Sequence, residues 1–212
     1  MGFYAFAQSQ ETQGDSDFQV WTEFTVAVPL SESKEHRRLD LLFNGVLRLG
    51  QNRLFPVDER AGIGLEYAIN KNLSLATSYL YRRSEPVKNR TDYEHRLRFD
   101  ATVSKSFRYF SLKDRNRFEY RIRVNHSDSW RYRNRLTLQL PEYFGKLKLA
   151  PFVSDEIYYD FSSKQLTTND FYIGVSKKFN KSQIEIFLLR RDSSSPPIRK
   201  FNAIGINYKI RL

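Results

Sequence analysis

From residue 18 onward, hydrophobic and polar side chains alternate with a period of two, the spacing at which successive side chains of an extended strand point to opposite faces. Between Tyr93 and Ser104 one face carries Tyr93, His95, Leu97, Phe99, Ala101 and Val103. The other face carries Glu94, Arg96, Arg98, Asp100, Thr102 and Ser104. The pattern returns where Phe118, Tyr120, Ile122 and Val124 alternate with Arg117, Glu119, Arg121 and Arg123. It returns again where Trp130, Tyr132, Leu136, Leu138 and Leu140 alternate with Arg131, Arg133, Arg135, Thr137 and Gln139, with Asn134 the one polar residue on that apolar face. Weaker alternation runs over 18–28, 39–49, 61–69, 73–81, 147–161, 168–179, 184–190 and 198–210.

These segments predict about eleven strands of roughly 9 to 15 residues, longer than the mode of about 5 to 6 in soluble sheets. Tilted strands of about 9 to 11 residues match the hydrocarbon thickness of a bilayer. Short turns at 70–72, 111–116, 141–146 and 180–182 alternate with polar links at 84–91, 125–129, 162–167 and 193–197. An up-and-down meander produces that alternation, with the short turns at one rim. The predicted fold is therefore all-β: a single closed antiparallel up-and-down transmembrane β-barrel. Bacterial single-chain barrels normally have an even number of strands, so the expected count is about 10 to 12, with a segment split or merged around Pro151 or an atypical Phe18 segment. Aromatic residues near strand ends (Tyr79, Tyr81, 107–110, Trp130, Tyr132, Tyr143, Phe144, Tyr158, Tyr159, Phe171 and Tyr172) predict girdles at the headgroup level.

Composition narrows the choice. The 212 residues include no cysteine, which removes disulfides, thiol nucleophiles and cysteine-based zinc sites. No apolar run approaches the roughly 18 residues of a membrane helix; the longest, 184–189, contains Glu185. A net charge of +11 points first to nucleic acid or an anionic surface, but 13 Tyr and 17 Phe are too many for a disordered basic tail. On a strand Tyr132 points away from Arg131 and Arg133, so no stacking platform lies beside its cations, and no nucleic-acid partner is expected.

A soluble lipocalin-like barrel would turn the apolar face inward around a ligand, a plan suited to about eight strands. A wider barrel is better served by apolar side chains against lipid and charges inside. The predicted interior network is Glu66, Glu94, Arg96, Arg98, Asp100, Arg117, Glu119, Arg121, Arg123, Arg131, Arg133, Arg135 and Glu156. Neighbouring rows of this kind form cross-strand ion pairs that stiffen the lumen, or they line a narrow anion-preferring pore, which needs rings of basic side chains.

Other chemistry is sparse. His36, His95 and His126 have no metal-ligand spacing, and no metal or cofactor is expected. His126-Ser127-Asp128-Ser129 supplies hydrolase residue types, but triads are built by spatial role and not by adjacency. Gly62 and Gly64 lack the third glycine of a dinucleotide fingerprint. The cluster Ser154-Asp155-Glu156 reads as partners for interior arginines rather than a cation site. The expectation is a protein that is not an enzyme and has no catalytic residues. Two alternatives stand beside it: a soluble basic lipocalin-like or nucleic-acid-binding β protein, and an outer-membrane lipid-modifying enzyme.

The order of Trp21-Thr22-Glu23, Gly64-Leu65-Glu66-Tyr67, 117–121, 131–133, 151–156 and 171–174 resembles a domain-of-unknown-function family of bacterial outer-membrane β-barrel proteins, over roughly 18–212. In that family an Arg often precedes the aromatic pair, where Asn169 and Asp170 stand here. The resemblance implies a bacterial outer-membrane location, contact with outer-membrane lipid, and insertion by the barrel-assembly machinery; it carries no established activity. The final strand, with Gly205, Tyr208, Ile210 and Leu212, loosely fits the assembly signal of such barrels. At the other end, Ala5-Phe6-Ala7 has the small-x-small pattern that precedes signal-peptidase cleavage. Residues 1–17 are accordingly expected to be the remnant of a signal peptide and a flexible leader, with the mature chain starting near Gln8, and 18–212 the barrel domain.

Overall fold

The computed structural model describes residues 16–33, 37–51, 54–124, 126–142, 147–194 and 200–212. The expected leader thus lies almost wholly outside the described residues, as do His36, Tyr143 and Phe144. Eleven strands, from 11 to 17 residues long, close into one barrel. They are β1 (Ser16–Glu32), β2 (Arg38–Gly50), β3 (Phe55–Ala68), β4 (Leu73–Val87), β5 (Arg90–Ser106), β6 (Ser111–Arg123), β7 (Ser129–Gln139), β8 (Ala150–Asp160), β9 (Gln165–Phe179), β10 (Ser182–Ser193) and β11 (Lys200–Arg211).

Sequential neighbours pair antiparallel around the wall. The count falls within the expected 10 to 12, although it is odd. Residues 150–160 form one strand, and β1 is a full member of the wall. With eleven strands the first and last run the same way, so β1 closes on β11 as a parallel pair, from Ser16 opposite Lys200 to Ala27 opposite Arg211.

The connections after β3, β5, β7 and β9 lie at one rim with Leu212; those after β4, β6, β8 and β10 lie at the other. We refer to these as the turn rim and the loop rim. Two-residue turns carry their Asn in the left-handed region that such hairpins need: Asn180 at φ 51° and Asn89 at φ 64°. The segment 111–116, expected to be a turn, is the first half of β6. The turn sits instead at 107–110, where the Phe107 amide donates to the Phe110 carbonyl at 2.8 Å and the two rings stack at 4.6 Å.

Outside, the wall is apolar: Phe43, Ile63, Leu97, Phe99, Ile173 and Leu188 are all exposed. The charged rows face the lumen, so the lipocalin-like arrangement does not occur. Tyr79, Tyr81, Tyr93, Trp130 and Phe171 lie outward toward the loop rim. Tyr158 and Tyr172 were expected in that girdle, but their parity along β8 and β9 turns them inward, where they are 5% and 4% exposed. Tyr172 belongs to a lumenal apolar cluster with Trp21, Phe152, Phe187, Leu189, Phe201 and Ala203, while the Tyr158 hydroxyl donates to Asp170.

Gly205 makes room for the Phe187 ring in this cluster, and Gly174 for the Ile186 carbonyl, Phe187 Cβ and the Phe152 ring. A Cβ on Gly174 would sit 2.8 Å from Phe187 Cβ and 2.9 Å from Phe152 Cζ. Gly174→Val is expected to lower stability by about 1–3 kcal/mol through overpacking, read as an earlier urea midpoint of the detergent-solubilised barrel. An unchanged midpoint would show that the Ile186 backbone and the neighbouring rings give way at little cost.

One part of the outer wall is polar. Asn134, the intruder on the apolar face, donates to Asp114 at 2.6 Å and to Asn116 at 3.1 Å, and Tyr132 also donates to Asn116. On the neighbouring strands Asn169 donates to Asp155 at 2.8 Å. These polar groups satisfy one another's hydrogen bonds within the wall.

Candidate functional site in the barrel lumen

Antiparallel register sets the inner wall out in rows. Asp100, Arg117 and Arg133 are successive partners across β5, β6 and β7. One step toward the turn rim, Thr102, Arg115, Arg135 and Glu156 form the next row. One step toward the loop rim come Arg98, Glu119, Arg131 and Asp160. The sequence alternation places every member of these rows inward; the register decides which charges meet.

In the half near the loop rim the charges form a dense layer. Glu119 is wholly buried and accepts from Arg131 at 2.5 and 3.0 Å and from Arg133 at 3.0 Å, with Arg117 and Arg96 at 3.9 and 4.0 Å. Glu94 accepts from Arg96 at 2.8 Å, from Arg82 at 3.3 Å and from Arg121. Asp58 takes both nitrogens of the Arg60 fork at 2.6 and 2.7 Å, and Arg82 at 2.8 Å. Asp170, also wholly buried, takes the Arg191 fork at 2.5 Å and the Tyr158 hydroxyl at 2.7 Å. Forked guanidinium–carboxylate bonds fix geometry as well as charge, which a buried ion pair needs to offset its desolvation.

The aromatic cluster meets this layer face on. The Arg48 guanidinium lies 3.4 Å from the centre of the Trp21 ring, Arg135 lies 4.1 Å from Tyr172, and Arg133 lies 4.3 Å from Tyr158. Desolvated cation–π contacts of this kind are worth about 2 kcal/mol. They let arginine surplus to the carboxylates stay inside.

Below the layer, toward the turn rim, opens a cavity of about 500 Å³. Eight Arg and Lys side chains line it against four carboxylates, Glu23, Glu66, Asp100 and Glu185. Above the layer, a second cavity of about 330 Å³ is lined by Arg82, Glu94, Arg121 and His126, among others, and no residue lines both. The ion-pair layer separates the two.

Of the interior residues expected from the sequence, Glu94, Arg96, Glu119, Arg121, Arg131, Arg133 and Glu156 lie in the layer. Asp100 and Arg117 pair at 2.6 Å through two parallel bonds. Arg98 donates to the Ser78 hydroxyl at 2.9 Å, and Arg135 to Ser154 at 3.4 Å. Glu66 meets Lys209 at 3.3 Å near the turn rim. Arg123 stands at the loop rim and donates to the Ser127 carbonyl at 2.9 Å. Alternation splits 154–156: Ser154 and Glu156 face the lumen and Asp155 the outside.

Sequence reasoning missed Asp58, Arg60, Arg82, Arg115, Asp170 and Arg191. Their signal was parity within weakly alternating strands: Arg115 is in phase with Arg117, and Asp170 with Tyr172. The Arg expected before the aromatic pair on β9 is supplied from β10, as Arg191 opposite Asp170.

The two described histidines stay apart. His95 is on the outer wall with its Nδ1 2.6 Å from the Tyr79 hydroxyl, and His126 Nε2 lies 3.5 Å from Asp92. In the 126–129 stretch, Asp128 accepts the Tyr120 hydroxyl at 2.9 Å, closing a hairpin. Among the described residues no group of three His, Cys, Asp or Glu side chains is placed to hold a metal ion.

Among solved structures, LpxR from Salmonella typhimurium is similar at 8% identity, over 87% of this chain and 84% of that one, with a TM-score of 0.48. At that level nothing of its chemistry carries over to these residues. It does correct the expectation of a protein without enzymatic activity: LpxR is itself an enzyme, so a barrel of this outline is no sign that catalysis is absent. No curated protein sequence matches the chain. Residues 18–202 match the family described as Protein of unknown function (DUF2490), and the chain belongs to that family.

Proposed function

We propose that this protein is a bacterial outer-membrane barrel, with its turn rim in the periplasm and a narrow lumen that prefers anions. The observation that carries the reading is the surplus of four cationic side chains around the turn-rim cavity. A closed wall of low dielectric focuses that charge on whatever enters, as rings of basic side chains do in anion pores. The ion-pair layer is the constriction, so passage is slow. The apolar outer face and the aromatic residues at both rims support the membrane setting.

Two measurements test this. In cell fractions the protein should appear with the outer membrane and run faster on gels unboiled than boiled. In planar bilayers under a potassium chloride gradient, the reversal potential should carry the sign of chloride preference, with small unitary steps. A cation-selective potential would overturn the anion reading, and a soluble protein with unchanged mobility would overturn the membrane reading.

A further inference from the structure

We infer that the lumen holds a binding site for a phosphate-type dianion, formed by Lys113 and Arg115 of β6 and Arg135 of β7. The inference rests on the reading that the lumen takes anions, and it adds where and of what chemistry.

Arg115 stands directly opposite Arg135, and Lys113, two residues along on the same face, stands opposite Thr137. Like charges directly opposite are destabilising unless something neutralises them. Within the wall little does. Glu156 accepts from Arg115 at 2.7 Å, but the same oxygen also takes Arg133 at 2.8 Å. Among the described residues neither Lys113 nor Arg135 forms an ion pair within 4.0 Å: Glu156, the register partner of Arg135 on β8, is taken up by Arg115 and Arg133, Glu185 acts on Lys113 and Arg135 only from a distance, and Arg135 donates to the Ser154 hydroxyl and lies over the Tyr172 ring. The Nε–H groups of Arg115 and Arg135 are buried and have no hydrogen-bond partner. A buried donor left unbonded carries a desolvation cost, so the wall leaves the bonding of both guanidinium groups incomplete.

All three cations line the turn-rim cavity of about 500 Å³, which is roomy enough for a small ester. Thr137 completes the wall, its hydroxyl 2.8 Å from that of Ser154. Two guanidinium forks and an ammonium offer more charge and more donors than one carboxylate can use. A phosphate monoester brings up to two negative charges near neutral pH and three terminal oxygens, which matches three cations. The phosphate could belong to a soluble ester entering from the turn rim or to a lipid headgroup.

The test is titration calorimetry on the full chain in detergent micelles free of phosphate, at matched ionic strength. Inorganic phosphate and glycerol phosphate should bind saturably, and acetate about tenfold more weakly or less. Arg135→Gln and Lys113→Gln should each weaken phosphate about tenfold, while Arg190→Gln on the outer wall leaves it unchanged. Lys113 reaches open cavity space, so its variant keeps the barrel folded, as heat-modifiable gel mobility will show. Absence of saturable phosphate binding, equal binding of acetate, or unchanged binding in both lumenal variants would overturn the site. Competition by dihexanoyl phosphatidic acid stronger than by glycerol phosphate would assign the phosphate to a lipid headgroup; the reverse would assign it to a soluble ester. Phosphate binding with cation-selective conductance would overturn only the pore reading, and anion-selective conductance without phosphate binding only the site.

Discussion

Glu119→Gln is expected to be the most damaging single change in the lumen, lowering stability by about 3–5 kcal/mol. The carboxylate is fully buried and bonds two arginines, with two more guanidinium groups within 4.0 Å. Glutamine keeps the volume and one acceptor oxygen but not the charge, so the Arg96, Arg117, Arg131 and Arg133 cluster loses its central counter-ion. Breaking a buried network by removing one partner costs much more than replacing the whole network, because the other charges stay buried. Urea unfolding of the micellar protein, followed by the unboiled gel band, reads the loss. Glu59→Gln, whose partner Arg83 it meets at 2.6 Å on an exposed part of the wall, should change stability by less than about 1 kcal/mol. If both variants unfold alike, the ion-pair layer contributes no special stability. The same Glu119 variant should raise single-channel conductance in bilayers, since the repelling arginines part where the lumen is narrowest.

A second pair of variants tests which face meets lipid, using one substitution at two places. Ile173 is 52% exposed, near the middle of β9, flanked across the sheet by Val153 and Leu188. Ile173→Lys should cost about 2–4 kcal/mol, the price of a charge on the lipid face near the bilayer midplane. Ala76 faces the lumen, with Glu66 and Asp100 as its register partners on either side. Ala76→Lys places a cation between two carboxylates in a wet cavity and should be neutral or slightly stabilising. Reconstitution into lipid vesicles followed by urea unfolding measures both. Equal costs at the two positions would mean that the outer face does not sit in hydrocarbon.

How far the fold could be read in advance depended on strand composition. In β5 and β7 polar and apolar residues keep strict parity over most of the strand, so strand, span and inward face are all legible. In the first half of β6, Asp114 and Asn116 put polar side chains on the outer face opposite Lys113 and Arg115, and the alternation vanishes. That is why 111–116 looked like a turn. Parity also says nothing about chemistry on the inner face: Trp21, Tyr158, Tyr172, Phe187 and Phe201 are inward by position yet aromatic, and a rule that equates apolar with outward misplaces them. The charged rows were legible as rows, but their division into a packed layer and an open cavity was not. It follows from contacts across the lumen and from side-chain volume, neither of which is written along a single strand. Closure was the other gap, because counting strands does not reveal whether the last one will accept the first.

That closure makes β1 and β11 a special seam. Every other contact between neighbouring strands is local in the chain and forms as each hairpin is completed, whereas Ser16 must wait for Lys200. The loop-closure entropy of nearly the whole chain falls on this one junction, which should make it the slowest to form. Parallel pairing is also slightly weaker per residue than antiparallel pairing. Hydrogen exchange in lipid should therefore find the least protected wall amides along β1 and β11, so that a barrel without a free edge opens first like a book along its spine.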